Sequence, residues 1–351
     1  MSRTGTIFIS PSGNWYGSEQ VLFDFLRHTS LDPDVALPVN SVFEKILRKE
    51  FPNLRLRTFD TGRLSFFYLG LAFQLIWGRY RSVYLNEAGH VRYILLLAKL
   101  FRRTSFCIHV RLTEDAAPSR WRQAVPAHVR VVVISKYIQD LMPPVATTRL
   151  FDPYPFSQES PSAGKVAGTE VFVVGIVGRI TASKGIALLP GILKLLKSAG
   201  SSGKFSFRMY GDISADMADH EVMHVLRSSP DVHVMGFTRD KDRIYGGLDC
   251  VLHLAGNEPL GRVFLEALDQ RIPLVGLHVG GIGELGEAFG TPDLLVDPRS
   301  GDLESAIVEK LQMVRREHHK YVALADRAVR VSGHLFSPET YARRMDGLIS
   351  S

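Results

Sequence analysis

Along the first half of the chain, short apolar runs alternate with stretches in which apolar residues recur every three or four positions, the first a mark of buried strands and the second of helices packed on one face. The pattern predicts a strand over Thr6–Ser10, a helix over Ser18–His28, a strand over Val35–Pro38 and a helix over Val42–Glu50. It continues with helices over Leu64–Trp77 and Val91–Phe101, and strands over Ser82–Leu85, Ser105–Val110 and Val129–Ser135. Such a rhythm argues for a parallel sheet covered by helices on both faces.

A polar stretch, SQESPSAGKVAGT at 157–169, breaks the rhythm and is expected to be a linker. The pattern then restarts, with strands expected at Val171–Val177, Ser206–Tyr210, Val232–Met235, Cys250–Leu254, Pro273–Gly276 and Leu294–Val296. Helices are expected at Gly185–Ala199 and Met217–Ser228, and Phe336–Ile349 has the pattern of a closing helix. The reading is an α/β chain of two doubly wound, Rossmann-like domains, 1–156 and 170–335, with a terminal segment 336–351. No internal repeat is visible beyond this doubling.

At 351 residues, with 45% apolar and 22% charged residues, the chain has globular composition and exceeds one comfortable core. Its longest apolar stretch, Leu64–Trp77, is shorter than the roughly 20 residues that cross a bilayer. The N-terminus lacks the pattern of a signal peptide, so a cytoplasmic protein is expected. Cys107 and Cys250 lie in apolar runs without metal-site or disulfide spacing and read as small core residues. Charge separates the halves: residues 1–150 hold 20 Lys/Arg and 11 Asp/Glu, residues 151–351 hold 22 and 25, giving +9 against −3. A basic first half suits an anionic partner or serves solubility. Its cations are dispersed, as in Arg79-Tyr-Arg81 and Arg102-Arg103, with no nucleic-acid-binding motif, which argues against nucleic acid as partner.

The segment Glu258-Pro-Leu-Gly-Arg-Val-Phe-Leu-Glu266 directly follows the apolar run Cys250–Leu254 and reads as strand, loop and helix start, with Pro259 expected in the first helical turn. Amides at such a start, at the carboxyl ends of parallel strands, make an anion site, and Gly261 lets a ligand approach the backbone. The two carboxylates are eight positions apart, Glu258 in the loop and Glu266 expected two turns into the helix. The plainer alternative is an acidic helix cap. Gly178-Arg179-Ile-Thr-Ala-Ser-Lys184-Gly185 follows the first strand of the second domain, and its two cations beside a glycine-bearing helix start suit a diphosphate. A solvated basic loop would read the same way. Neither GxxxxGK[ST] nor GxGxxG occurs.

The combination of GRITASKG, the E-x7-E segment, Tyr210-Gly-Asp212 and Val234-Met-Gly-Phe237 resembles the retaining glycosyltransferases of the GT-B fold, the group often called family four. Gly13-Asn-Trp-Tyr-Gly17-Ser-Glu19 is similar to that family's N-terminal glycine-rich loop, His109 to its N-domain histidine, and the tail to the helix that returns to the first domain. The resemblance implies two Rossmann-like domains facing a central cleft and a hexosyltransferase-type activity with a nucleotide-sugar donor. It implies that Arg179 and Lys184 hold the donor diphosphate, helped by amides from Leu260, Gly261, Arg262 and Val263. Glu266 would bind the ribose hydroxyls and Glu258 the sugar hydroxyls, with the base lying by Gly211, Gly236, Phe237 and Thr238 and with Gly178 among the donor-binding residues. His109 and Gly17 would reach the sugar or acceptor. The leaving phosphate would take the acceptor proton on the same face, and neither a metal nor another cofactor is expected.

The chain departs from the family pattern at Arg149–Phe156, where an Asn-Gly hinge is usual, and after Asp212, where a second glycine is missing. The basic first half and the Phe66-Phe67-Tyr68 cluster favour a lipid-linked or envelope glycan acceptor, hence polysaccharide biosynthesis with peripheral contact to an anionic inner membrane face. The competing readings are a sugar-nucleotide epimerase or phosphorylase on the same fold, and a non-enzymatic basic protein that binds membrane or nucleic acid.

Overall fold

The computed structural model describes residues 5–157, 171–201 and 203–350. The expected linker 157–169 lies outside the described residues, Ser157 excepted. The chain forms two compact units: residues 1–155 with 335–351, and residues 156–334.

Among the described residues the first unit contains seven strands, β1 (Gly5–Ile9), β2 (Pro33–Pro38), β3 (Leu56–Phe59), β4 (Tyr80–Leu85), β5 (Ser105–Val110), β6 (Val129–Val133) and β7 (Thr147–Arg149). They form one sheet in the order β3-β2-β1-β4-β5-β6-β7, and every pairing is parallel. The direction of winding reverses between β1 and β4, which opens a crevice at the carboxyl ends of those strands. β3 and β7 are absent from the sequence prediction; both are short edge strands, and neither LRTF nor TTR is a continuous apolar run. The central strands are apolar because helices bury them on both faces.

The tail helix, Pro338–Ser350, packs in the first unit's core, where Tyr341, Ala342, Met345 and Ile349 join Phe8, Phe25 and Tyr84. Asp346 fixes it by accepting hydrogen bonds from the backbone N–H and hydroxyl of Ser30, both 2.8 Å.

Among the described residues the second unit has six parallel strands, β8 (Phe172–Val177), β9 (Phe205–Tyr210), β10 (Val232–Gly236), β11 (Cys250–His253), β12 (Leu274–Leu277) and β13 (Leu295–Val296). Their order is β10-β9-β8-β11-β12-β13, so the switch lies between β8 and β11. Two expected helices are divided. The span Gly185–Ala199 contains a short 3-10 turn, Ile186–Leu188, before its helix, Leu189–Ser198, because Gly185 itself adopts φ +69° and belongs to the preceding loop. The span Met217–Ser228 breaks at His220, whose side chain caps a new helix, Glu221–Ser228, by accepting from the Val222 amide at 3.2 Å. Cys107 and Cys250 are free and buried.

Candidate donor site in the second unit

Three loops leave the carboxyl ends of β8, β9 and β10 side by side, and glycine lets them meet. Gly178 follows β8 with φ +126°, Gly211 follows β9 with φ +151°, and Gly236 ends β10 with φ +75°. The Gly178 amide donates to the Tyr210 carbonyl at 2.9 Å, and the Gly211 amide donates to the Gly236 carbonyl at 3.0 Å. A Cβ on Gly211 would stand 1.9 Å from the Gly178 carbonyl oxygen, so no other residue fits. The Ile180 amide donates to the Asp212 carbonyl at 2.9 Å, and Ser214 answers with N–H and hydroxyl bonds of 3.0 Å to the Ile180 carbonyl. The outcome is a backbone floor across the ends of β8, β9 and β10, with Arg179 exposed beside it in sequence. Phe237 is exposed on the adjoining loop, and the Thr238 hydroxyl caps the next turn by accepting from the Asp240 amide at 3.2 Å.

After Arg179 the chain makes a single 3-10 turn, Ala182–Lys184, and Gly185 then presses so closely on β11 that a Cβ there would stand 2.0 Å from the Leu254 carbonyl oxygen. This contact carries Lys184 across the switch to Glu258, where Nζ donates to Oε2 at 2.7 Å. His253, the last residue of β11, places Nε2 3.5 Å from the same oxygen. Burial alone would raise the Glu258 pKa, but His253 and the Lys184 ammonium outweigh it and hold the carboxyl at about 2. Glu258 is therefore an anion throughout the physiological range, with the Lys184 ammonium as its partner. Sequence reasoning missed His253, whose only signal is a titratable residue within an otherwise apolar strand.

The loop after Glu258 differs from expectation. Pro259 is not in the first helical turn: the helix is Arg262–Asp269, and its N-cap is Gly261 with φ +100°. A Cβ on Gly261 would meet Ile282 Cδ1 at 2.3 Å, so close packing delays the helix past the proline. Leu260 is buried, while the first-turn residues Arg262 and Val263 are half-buried. The Gly281 amide, opening the helix Gly280–Ala288, donates to the Glu258 carbonyl at 2.8 Å and steadies the loop from below. Glu266 is the fifth helical residue, in the second turn rather than two turns in, and its Oε2 accepts from the Tyr245 hydroxyl at 2.8 Å.

The expected residues of the first unit have a different setting. Gly17 is the first residue of the helix Gly17–His28, and Glu19 turns back to accept from the Tyr16 amide at 3.1 Å as a buried cap. His109, expected to reach sugar or acceptor, offers no exposed surface. Its Nδ1 is 3.1 Å from both the Tyr84 hydroxyl and Arg111 Nη2, and the Tyr341 ring stacks beside it. Burial and Arg111 push its pKa well below the usual imidazole value, so it is neutral. Arg111, at the end of β5, is buried against Asp152 and donates to the Tyr341 hydroxyl at 3.0 Å. Beside this network, Glu87 and Asp115 are buried at the carboxyl ends of β4 and β5, and burial raises their pKa values to about 7 and about 6.

Residues 171–313 match the family model described as glycosyl transferases group 1. No curated protein matches the sequence. Among solved structures, HepE of Anabaena, determined in complex with UDP and glucose, aligns over 99% of this chain and 100% of its own with TM-score 0.77 and 19% identity. Sucrose-phosphate synthase of Thermosynechococcus elongatus aligns over 99% and 98% with TM-score 0.74 and 15% identity. The lipopolysaccharide outer core galactosyltransferase WaaB, in its apo form, aligns over 98% and 99% with TM-score 0.70 and 14% identity. These likenesses establish the architecture of two parallel-sheet Rossmann-like units, GT-B. The second unit matches the glycosyl transferases group 1 model over residues 171–313, within a chain of GT-B fold, and the protein is a glycosyltransferase.

Proposed function

We propose that the chain transfers a sugar, with retention at the anomeric carbon, from a nucleoside-diphosphate sugar to a lipid-linked or envelope glycan, without a metal ion. The observation that carries the reading is the Lys184–Glu258 pair of 2.7 Å at the β8/β11 switch, next to the exposed Arg179 and the glycine floor. A donor diphosphate is a stronger acceptor for Lys184 than one carboxylate, because it offers more charge and more oxygens. On donor binding Lys184 turns to the phosphate, and Glu258 becomes free to accept from sugar hydroxyls. Arg179 and the first-turn amides of the Arg262–Asp269 helix share the phosphate charge, and Glu266 accepts from the ribose. HepE is described with UDP and with UDP-glucose, which makes UDP-sugars the first donors to test.

In the transfer, the C1–O bond to the phosphate breaks while the acceptor oxygen bonds to C1 on the same face, and the acceptor proton passes to the departing phosphate oxygen. No protein nucleophile is needed, and the protein contributes positioning and charge stabilisation. A lipid-linked acceptor places the enzyme at a membrane surface, and the galactosyltransferase function in the WaaB description supports an envelope glycan. The test is donor hydrolysis across a panel of nucleotide sugars, followed by NMR of the transfer product from an α-linked donor. An α linkage with no glycosyl-enzyme adduct in the mass spectrum is expected. A β linkage overturns retention, an adduct on Glu258 overturns the mechanism, and a product epimerised without transfer overturns the activity.

A further inference from the structure

The helix Leu64–Ile76 of the first unit is apolar on both faces, although among the described residues only one of them is buried. Tyr68, Leu71 and Leu75 are buried against the unit. Phe66, Leu69, Phe73, Ile76 and the following Trp77 fall on the opposite stripe and are exposed, Phe66 by 74% and Trp77 by 82%. The neighbouring helix, Val91–Leu100, lies beside it through Tyr93, whose ring stacks on Tyr68 at 4.5 Å, and adds exposed Leu96 and Leu100. Soluble surfaces rarely leave this much apolar area contiguous.

The surrounding charge has one sign. Residues 61–104 contain seven Lys/Arg and a single acid, Glu87, which is buried. Arg63, Arg81, Arg92, Lys99, Arg102 and Arg103 are all exposed, and among the described residues none of them pairs with a carboxylate. The seventh, Arg79, shares Asp34 with Arg55 and Arg57. A thirteen-residue helix is about 20 Å long and cannot cross a bilayer. Two copies meeting through this face would oppose like charges, and nucleic acid, whose bases stack on aromatic rings, would leave the exposed aliphatic side chains of Leu69, Ile76, Leu96 and Leu100 without an apolar partner. An anionic lipid surface satisfies both features, with phosphate at the rim and acyl chains under the stripe.

We infer that the Leu64–Ile76 and Val91–Leu100 helices form a docking surface for an anionic bilayer, with Phe66, Phe73 and Trp77 entering the headgroup–acyl boundary and the arginines of residues 63–103 held at the phosphates. This rests on the reading of a membrane-held acceptor and names the part of the chain that meets the membrane. Tryptophan at such a boundary keeps its ring in the apolar layer and its N–H in the wet one.

The test is sedimentation of the full chain with vesicles of phosphatidylcholine alone and of phosphatidylcholine mixed with phosphatidylglycerol, with Trp77 emission and UDP calorimetry in parallel. Binding to the mixed vesicles only, weakened by salt and accompanied by a blue shift, is expected. The variant Phe66→Ser/Phe73→Ser/Trp77→Ser should lose binding. The variant Arg102→Ser/Arg103→Ser, which leaves the apolar stripe intact, should bind roughly fivefold more weakly per charge removed. Both should keep the wild-type affinity for UDP. Absence of binding to the mixed vesicles, binding equal on neutral vesicles, or a dimer that the triple variant dissociates would each overturn the inference. Failure of the wild-type chain to bind UDP while vesicles still capture it would instead reject the donor reading and leave the surface standing.

Discussion

At the scale of residues, the second unit binds one carboxylate with two different nitrogen bases. Lys184 and His253 converge on Glu258 Oε2, and together they hold its pKa at about 2 against the opposing effect of burial. Removing either one leaves desolvation less opposed, so the Glu258 pKa rises toward and above the usual value. We expect Lys184→Ala and His253→Leu to shift the acid limb of the kcat/KM profile to higher pH. The two should differ in size of effect at neutral pH. On the proposed reading, Lys184→Ala also loses a diphosphate partner, and so does Arg179→Ala, each expected to lower turnover on the order of a hundredfold. His253→Leu touches no phosphate and should keep turnover within a few-fold. Rate–pH profiles at donor concentrations well below KM decide the matter: an acid limb that stays in place in both variants would show that the bases do not act on Glu258.

At the scale of elements, the site depends on loops that glycine allows to touch. Gly211→Ala forces a Cβ to 1.9 Å from the Gly178 carbonyl at a φ of +151°, so the β8 and β9 loops must separate. A loss of about 2 kcal/mol or more in the stability of the second unit is expected, with weakened UDP binding. Gly256→Ala, with open space around the Cβ, should be near neutral. Chemical denaturation and UDP calorimetry of the two variants make the comparison, and equal behaviour would remove the loop contact from the account. The same packing sets what the sequence could reveal. Central strands such as Ser105–Val110 were legible because both of their faces are covered and their residues are nearly all apolar. Leu56–Phe59 and Thr147–Arg149 were not, because an edge strand is held by its ladder more than by its side chains. Pro259 misplaced a helix start because the contact of Gly261 with Ile282 joins residues 21 apart in sequence. The enclosure of His109 was equally hidden, since Tyr341, which stacks on it, lies 232 residues away. The Arg179, Lys184 and Glu258 group was readable in outline because each residue follows a recognisable strand, but the direct pairing of Lys184 with Glu258 was not.

At the scale of the whole molecule, buried titratable groups divide the pH dependence of stability between opposing terms. Glu258 and Asp34, both held near 2, bind fewer protons folded than unfolded between about 2 and their usual values near 4, so they add stability as pH rises through that window. His90, lowered to about 4 by burial, does the same up to its usual 6.5. Glu87 acts in the opposite direction. Its folded value is about 7 against a usual 4.5, so between those limits the folded chain holds the extra proton and stability falls as pH rises. Asp115, at about 6, adds to this fall over the lower part of the range. Because the terms overlap, the melting temperature of the wild-type chain alone does not isolate any of them, and a difference does. Glu87→Gln keeps the shape of the side chain and removes the titration. Relative to wild type it should gain stability as the pH is raised from 5 to 8, by roughly 2 to 3 kcal/mol at most and a few degrees in Tm. Calorimetric melts of both proteins at several pH values give the difference directly. If the two Tm curves run parallel across that range, Glu87 is ionised in the folded chain at the same pH as in the unfolded one, and the acidic pocket at the β4 and β5 ends must be open to water.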